Sequence, residues 1–367
     1  MGLKKLTVWF AANVSADSYG GVSRVMHAYS SELSSRGYEC KIIVNAPKKK
    51  MGYIGFSFKL FIELIIHLFS PPDWIIARSS DGVICALFLR LFRQLFRIST
   101  RVAVHSHGWE ERVFETEKRL PIKILFPRTS ILAHMIRFPL LRTALYASDC
   151  CITGTVAEVR WLGKRHPRIK DKFFYLPNGV DIGSYTVDQS ENTMQFLSVG
   201  GNTWKKNISY TMGLFENIRK QHNDATITMV GLNQTGARKM SSESSQSISF
   251  IPEAAFNEMN TMYMHHKFLI SSSRFEGGHS LAVLEAMSCG MVVFVAAIDS
   301  MREIVQDGKN GILITGVDIR ADVKKICSVI SDPIKRVSIG KQAQRSAFRH
   351  NWRRQSFRLE RILNDEI

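Results

Sequence analysis

Apolar and polar positions along the chain alternate between two kinds of run. Short, nearly unbroken apolar runs bounded by Gly, Pro, Asn or charged residues predict buried parallel strands. In the first half they fall at Leu6–Ala11, Cys40–Asn45, Trp74–Arg78, Val102–His105, Asp149–Thr153 and Phe173–Leu176. In the second half they fall at Gln195–Val199, Ala225–Val230, Ile248–Ile251, Lys267–Ser271 and Val292–Val295. Between them lie longer runs of helical character: Val22–Arg36 ended by Gly37, a run closing at Trp161, Ile208–Gln221, Asn257–His265, Leu281–Cys289 and a basic tail at His350–Leu363. Alternating β and α segments of this length give an α/β chain of parallel sheets covered by helices on both faces. At 367 residues the chain is too long for one ordinary core. The expected organisation is a domain at 1–187, a second at 188–345, and a helix at 346–367 packing back on the first. Two such domains in succession predict a ligand in the cleft between them, at the carboxyl ends of the strands.

Composition narrows the class. Hydrophobic residues make up 45% and charged residues 22%, which excludes a disordered, collagen-like or coiled-coil chain. The six cysteines form no C-x-x-C pair, so neither a structural zinc site nor a disulfide framework is expected. The N-terminal apolar run is short and leads to Gly20-Gly21, and reads as a first strand rather than a signal peptide. The longest apolar stretch, Phe56–Phe69, carries Lys59, Glu63 and His67 and is too short and too charged to span a bilayer. A cytoplasmic location is expected.

The net charge of +17 calls for an anionic partner. It is uneven: residues 1–187 hold 27 Lys and Arg against 14 Asp and Glu, and residues 188–367 hold 22 against 18. The surplus surrounds Phe56–Phe69 and Leu87–Arg97. In the latter, Arg90, Arg93 and Arg97 recur at helical spacing among Phe88, Leu91, Phe92, Leu95 and Phe96. Two readings stand. A basic stripe beside an aromatic face suits an anionic membrane surface, and a helix packed on a sheet with solvated arginines has the same pattern. Nucleic acid is not expected, since no binding motif is present and basic residues are not interleaved with stacking aromatics in a strand pattern.

Chemistry concentrates in Ser271-Ser-Ser-Arg-Phe-Glu-Gly-Gly-His-Ser-Leu-Ala-Val-Leu-Glu-Ala-Met-Ser-Cys-Gly290. A strand ends at the serines, a loop with Gly277 and Gly278 follows, and Ser280 is placed to cap a helix starting at Leu281. Amides at a helix N-terminus reached through glycines suit a diphosphate. Glu285 lies in the second turn of that helix, where a ribose is a fitting partner, and Glu276 lies on the loop where a sugar would sit. An ordinary strand-loop-helix with solvated carboxylates has the same residues.

This segment resembles the signature of retaining glycosyltransferases of the two-Rossmann GT-B type, family 4, the group 1 transferases. Their pattern is E-G-F-G-x-x-x-x-E-A-M-A-x-G-x-P-V. Here one more residue separates Glu276 from Glu285, and Met291 departs from the usual residue. Glu285, followed by Ala286, Met287 and Gly290, carries over directly. Gly20-Gly21 resembles the family's glycine loop after the first strand. His107, before Gly108, matches a histidine that approaches the transferred sugar. Leu176-Pro-Asn-Gly-Val-Asp181 resembles the interdomain crossing, and Arg302 to Gly311 resembles E-I-V-x-D-G-x-N-G. Ser198 to Asn207 resembles V-G-R-L-x-x-x-K-G: Lys206 matches the lysine, Lys205 is its rival, and Gly201 stands where the family has arginine.

The resemblance implies two Rossmann-like domains facing each other across a cleft. It implies transfer of a sugar, with retained configuration, from a nucleotide-diphosphate sugar to a glycan or lipid-linked acceptor in bacterial surface polysaccharide synthesis. The catalytic set it implies is His107, Lys206 and Glu276. The donor-contacting set is Gly20, Gly21, Lys205, Arg274, Gly277, Gly278, His279, Ser280, Leu281 and Glu285. No cofactor is expected beyond the donor, and no metal, since no two aspartates stand at i and i+2. Two rivals share the architecture: a sugar-nucleotide 2-epimerase, which needs no acceptor, and a non-catalytic partner subunit, which Gly201 keeps in view.

Overall fold

The computed structural model describes residues 6–16, 20–47, 51–119, 131–182, 187, 189, 193–232 and 247–366. Contacts divide the chain into two compact units. One holds residues 1–178 and 352–367, the other 179–351. The sequence reading put these changes at 187 and 345.

The first unit is a six-stranded parallel sheet of β1 (Thr7–Ser15), β2 (Glu39–Asn45), β3 (Trp74–Arg78), β4 (Arg101–Ser106), β5 (Cys150–Thr153) and β6 (Phe173–Tyr175), in the order β2-β1-β3-β4-β5-β6. Its strands read as unbroken apolar runs because helices cover both faces. On one face Trp9, Ile75 and Val102 pack with Phe56, Leu60 and Leu64 of the helix Tyr53–Ile66 and with Leu89 of the helix Val83–Phe92. Farther along that face, Val104 and Cys151 pack with Trp109, Leu141 and Leu162. The helix Trp352–Leu363 completes this unit. Its Trp352 ring meets Tyr29 edge-on at 5.3 Å, its Glu360 pairs with Arg36 at 2.6 Å, and Trp74 Nε1 donates to the Leu363 carbonyl at 3.0 Å.

The second unit is also six-stranded and parallel. Its strands are β7 (Gln195–Val199), β8 (Thr226–Val230), β9 (Ile248–Ile251), β10 (Phe268–Ser271), β11 (Val292–Ala296) and β12 (Ile312–Ile314), ordered β12-β11-β10-β7-β8-β9. Strand β12 is not among the strands the apolar runs predict; it directly follows the Arg302–Gly311 stretch. Counted from its own first strand, the order is 6-5-4-1-2-3, that of a dinucleotide-binding sheet. The direction of winding reverses between β7 and β10, so the loops after these two strands diverge and leave a crevice at their carboxyl ends. In the first unit the reversal lies between β1 and β3.

Two polar devices hold the second unit's upper edge. Asp318 and Asp332 cap the helices Ile319–Ile330 and Pro333–Ala347, accepting from Ala321 N at 3.1 Å and Lys335 N at 3.0 Å. Asp322, buried, accepts from Thr315 N at 2.7 Å, Gly316 N at 2.9 Å and the Tyr210 hydroxyl at 2.6 Å. The Gly316 carbonyl in turn takes the Asn207 side-chain amide at 3.3 Å, at the start of the helix Ile208–Arg219. Removing this carboxylate leaves buried donors unpaired. Asp322→Ala should cost roughly 3 kcal/mol of stability, read as a lower urea midpoint.

Candidate active site

The loops after β7 and β10 are built against each other in the second unit. Gly231 has φ +95°, and a Cβ there would lie 2.9 Å from the Gly200 carbonyl carbon, so the loops after β7 and β8 meet backbone to backbone. Gly200 (φ +152°) lies under the Lys206 stem: a Cβ would stand 2.9 Å from Lys206 Cδ. That stem carries the ammonium to Glu276, whose Oε1 accepts from Lys206 Nζ at 2.6 Å and from Ser273 Oγ at 2.7 Å. The backbone follows suit: Arg274 N donates to the Lys205 carbonyl at 2.7 Å, and Ser272 Oγ to the Asn207 carbonyl at 3.1 Å. Lys205 Nζ stands 5.6 Å from the centre of the Phe275 ring. Partial burial holds the Arg274 guanidinium below its ordinary value.

The helix Leu281–Ser288 starts one residue beyond this loop. Ser280 occupies its N-cap position, but the hydroxyl makes no capping bond, contrary to the sequence expectation. Glu285 is buried and its Oε2 accepts from the Tyr263 hydroxyl at 2.8 Å. His279 is buried as well, with Nε2 3.2 Å from Glu303 Oε2 and its ring edge-on to His350 at 5.3 Å. Gly277 and Gly278 are half-buried in the same loop. The crevice thus gathers a lysine, a carboxylate bonded to it and a helix N-terminus, an arrangement that accepts a phosphate-bearing ligand.

In the first unit, His107 follows β4 on a loop where Gly108 has φ +106°. Glu158 braces that loop from beneath. Buried at the start of the helix Val156–Arg165, its carboxylate accepts from Ser106 Oγ at 3.1 Å and from Trp109 N at 2.5 Å. The His105 and His107 rings are 4.3 Å apart. Burial holds His107 well below the usual imidazole range, reinforced by His105 and Arg78, and holds His105 down at about 4. Both imidazoles are therefore neutral at neutral pH.

Gly20 and Gly21 are exposed at the start of the helix Gly21–Ser35. Beside the β1/β3 reversal sits Asp81, which the sequence reading passed over. It is buried, and its Oδ2 accepts from Asn13 N at 2.8 Å. Burial pushes its carboxyl up to about 6, against the opposing pull of the Asn13 amide and Arg78.

Of the residues singled out from sequence, the structure brings Lys205, Lys206, Arg274, Glu276, Gly277, Gly278, His279, Ser280, Leu281 and Glu285 to the carboxyl end of the central strands of the second sheet. Gly20, Gly21 and His107 belong to the other unit. Sequence reasoning missed Ser273, Tyr263, Glu158 and Asp81. For Asp81 a signal existed: Ser79-Ser80-Asp81-Gly82 directly follows a buried strand.

Comparison with known proteins places this geometry. Residues 187–346 match the family described as glycosyl transferases group 1. A stretch of 107 residues is 26% identical to the D-inositol 3-phosphate glycosyltransferase of Salinispora tropica, covering 29% of this chain and 22% of that one. Over 286 residues the chain is 22% identical to a probable sucrose-phosphate synthase of Thermosipho melanesiensis, covering 73% of this chain and 64% of that one. The matched stretches are thus less than two thirds of either relative's length. Among solved structures, the sucrose-phosphate synthase of Thermosynechococcus elongatus superposes with a TM-score of 0.78 at 13% identity, covering 99% of each chain. The Anabaena HepE protein solved with UDP and glucose superposes at 0.70 and 16% identity, covering 98% of this chain and 100% of that one. The two parallel-sheet units are those of the GT-B glycosyltransferase fold. The family match to the group 1 glycosyl transferases spans nearly all of the second unit.

Asp81 offers a pH test. Its proton is held more tightly in the folded chain than in the unfolded one, where 3.8 applies. Between those values the folded state binds more protons, so its contribution to stability falls as pH rises and stays lost above about 6. Asp81→Asn keeps an acceptor for Asn13 and removes the charge. Relative to the unsubstituted chain, the variant should gain on the order of 3 kcal/mol between about pH 4 and about pH 7, measured by urea unfolding. A difference that does not change with pH would contradict the assignment.

Proposed function

We propose that this chain transfers a sugar, with retained anomeric configuration, from a nucleotide-diphosphate sugar to a glycan or lipid-linked acceptor. The observation that carries the reading is the Lys206–Glu276 pair, held at 2.6 Å where winding reverses in the second sheet. A donor diphosphate entering that crevice competes with Glu276 for the Lys206 ammonium. Once the phosphate takes the lysine, the Glu276 carboxylate turns to the sugar. Lys206, with Lys205, Arg274 and the amides around Leu281, balances the charge that develops as the diphosphate departs, with no metal required. Glu285, oriented by Tyr263, receives the ribose hydroxyls. In the first unit, the neutral His107 and the edge around Asp81 and Asn13 are assigned to the sugar and its acceptor. Departing phosphate oxygen takes the acceptor's proton, so no ionised histidine is needed. A cytoplasmic setting and a role in surface polysaccharide synthesis accompany this reading.

The test begins with a thermal-shift screen of nucleotide sugars, followed by nucleotide-diphosphate release with and without acceptors. One donor class should raise Tm and be turned over, and product NMR should report a retained anomer. Lys206→Ala should lower kcat/KM by about 10²- to 10³-fold, the cost of losing one preorganised group that meets developing charge. If no donor binds and Lys206→Ala changes nothing, the reading is wrong. Gly201 favours the partner-subunit alternative, which donor binding without turnover would uphold.

Gly201 also yields a gain-of-function test. A Cβ there meets nothing closer than the Gly231 carbonyl oxygen at 3.6 Å, so a side chain fits. Gly201→Arg should tighten nucleotide-diphosphate binding about tenfold, measured by calorimetry, the gain expected of one charge-assisted bond.

A further inference from the structure

The helix Tyr53–Ile66 buries Phe56, Leu60 and Leu64 against the first sheet. Its outer side would ordinarily be polar. Here it presents Ile54, Phe58, Ile62, Ile65 and Ile66, the last 68% exposed. The neighbouring helix Val83–Phe92 repeats the anomaly: Cys85, Ala86 and Leu89 face inward while Leu91 (70% exposed) and Phe92 face out, and the turn after it adds Leu95 (72%) and Phe96. The two helices pack together, and their rings form one ridge. Phe58 lies 6.3 Å from Phe61, Phe61 5.2 Å from Phe88, and Phe88 5.9 Å from Phe96. The outward apolar groups therefore make a single surface rather than scattered residues, and a surface of that kind marks an interaction site.

The charges beside it identify the partner. Between Asp81 and Glu110 the sequence contains no acidic residue. Arg93 is taken up by Asp149, with bonds of 2.9 and 2.8 Å, so it serves the fold. Arg90 and Arg97, on the same helix and turn as the exposed Leu91, Leu95 and Phe96, are exposed. The one carboxylate on either helix, Glu63, is paired with Lys41. Apolar side chains flanked by exposed guanidinium groups match the interface of an anionic bilayer, where rings and aliphatics enter the acyl boundary and arginines remain with the headgroups. A second copy of the chain is a poorer occupant, because a two-fold contact through this face would set the same arginines against each other. No helix among the described residues is long and apolar enough to cross a membrane. We propose that the face formed by the helices Tyr53–Ile66 and Val83–Phe92 docks this protein on anionic lipid bilayers as a peripheral protein. The inference does not depend on the transferase reading, since docking is measured without any donor.

The experiment is flotation of the purified chain with vesicles of phosphatidylcholine alone and of phosphatidylcholine mixed with phosphatidylglycerol. The chain should float with the mixed vesicles and not with the neutral ones. Leu91→Glu/Leu95→Glu and, separately, Arg90→Glu/Arg97→Glu should each weaken that binding at least about tenfold. All four positions are exposed, and Arg90 makes one exposed bond, to the Tyr146 carbonyl at 3.0 Å, so circular dichroism should stay as in the unsubstituted chain and Tm should change little. Absence of flotation with the mixed vesicles overturns the proposal, as does flotation that survives both double substitutions or that is equal on neutral vesicles. Light scattering supplies the remaining arm: a dimer abolished by Leu91→Glu/Leu95→Glu, with no vesicle binding, assigns the face to a second copy instead.

Discussion

Strand β7 pairs with β8 along one edge and with β10 along the other, Phe196 opposite Phe268 and Leu197 opposite Leu269. The geometry of the candidate site depends on that adjacency. Because the sheet is wound outward in both directions from this pair, the chain leaving β7 and the chain leaving β10 depart on opposite faces, and only there does a crevice open at the strand ends. Lys206 and Glu276, seventy residues apart in sequence, meet across it. The glycines of the β7 and β8 loops serve the same end by letting two backbones touch where side chains would separate them.

Much of this was legible in advance, for a reason that also explains the gaps. Parallel strands covered on both faces leave an unbroken apolar run, and Trp74–Arg78, Gln195–Val199 and Ile248–Ile251 appear in the structure with the expected limits. β12 has only three residues, too few for a run to stand out from a turn. The helices Ile319–Ile330 and Pro333–Ala347 were overlooked even though Asp318 and Asp332 offered caps and Pro333 a helix start.

At the candidate site, residues marked by local pattern were found and those marked by long-range contact were not. Lys206 and Glu276 each sit in a recognisable stretch. Tyr263 matters only because its hydroxyl reaches Glu285 from another helix, and Glu158 only because its carboxylate ends beneath the His107 loop. A helix assigned from periodicity does not say which neighbour it faces. His279 makes the converse point: its place in a glycine-rich loop does not reveal that its ring is buried against Glu303 and His350. Charge behaved similarly, since the basic excess of the first half was countable while its pairing, as of Arg93 with Asp149, was not.

The closing helix has a consequence for how the protein is made. Residues 352–367 belong with the first unit, where Trp352 meets Tyr29 edge-on and the Leu363 carbonyl accepts from the Trp74 indole. On the ribosome, the segment from 179 to 351 emerges whole before that helix does. The second unit thus has all its strands available while the first still lacks a piece of its core, so the half synthesised first is the half finished last.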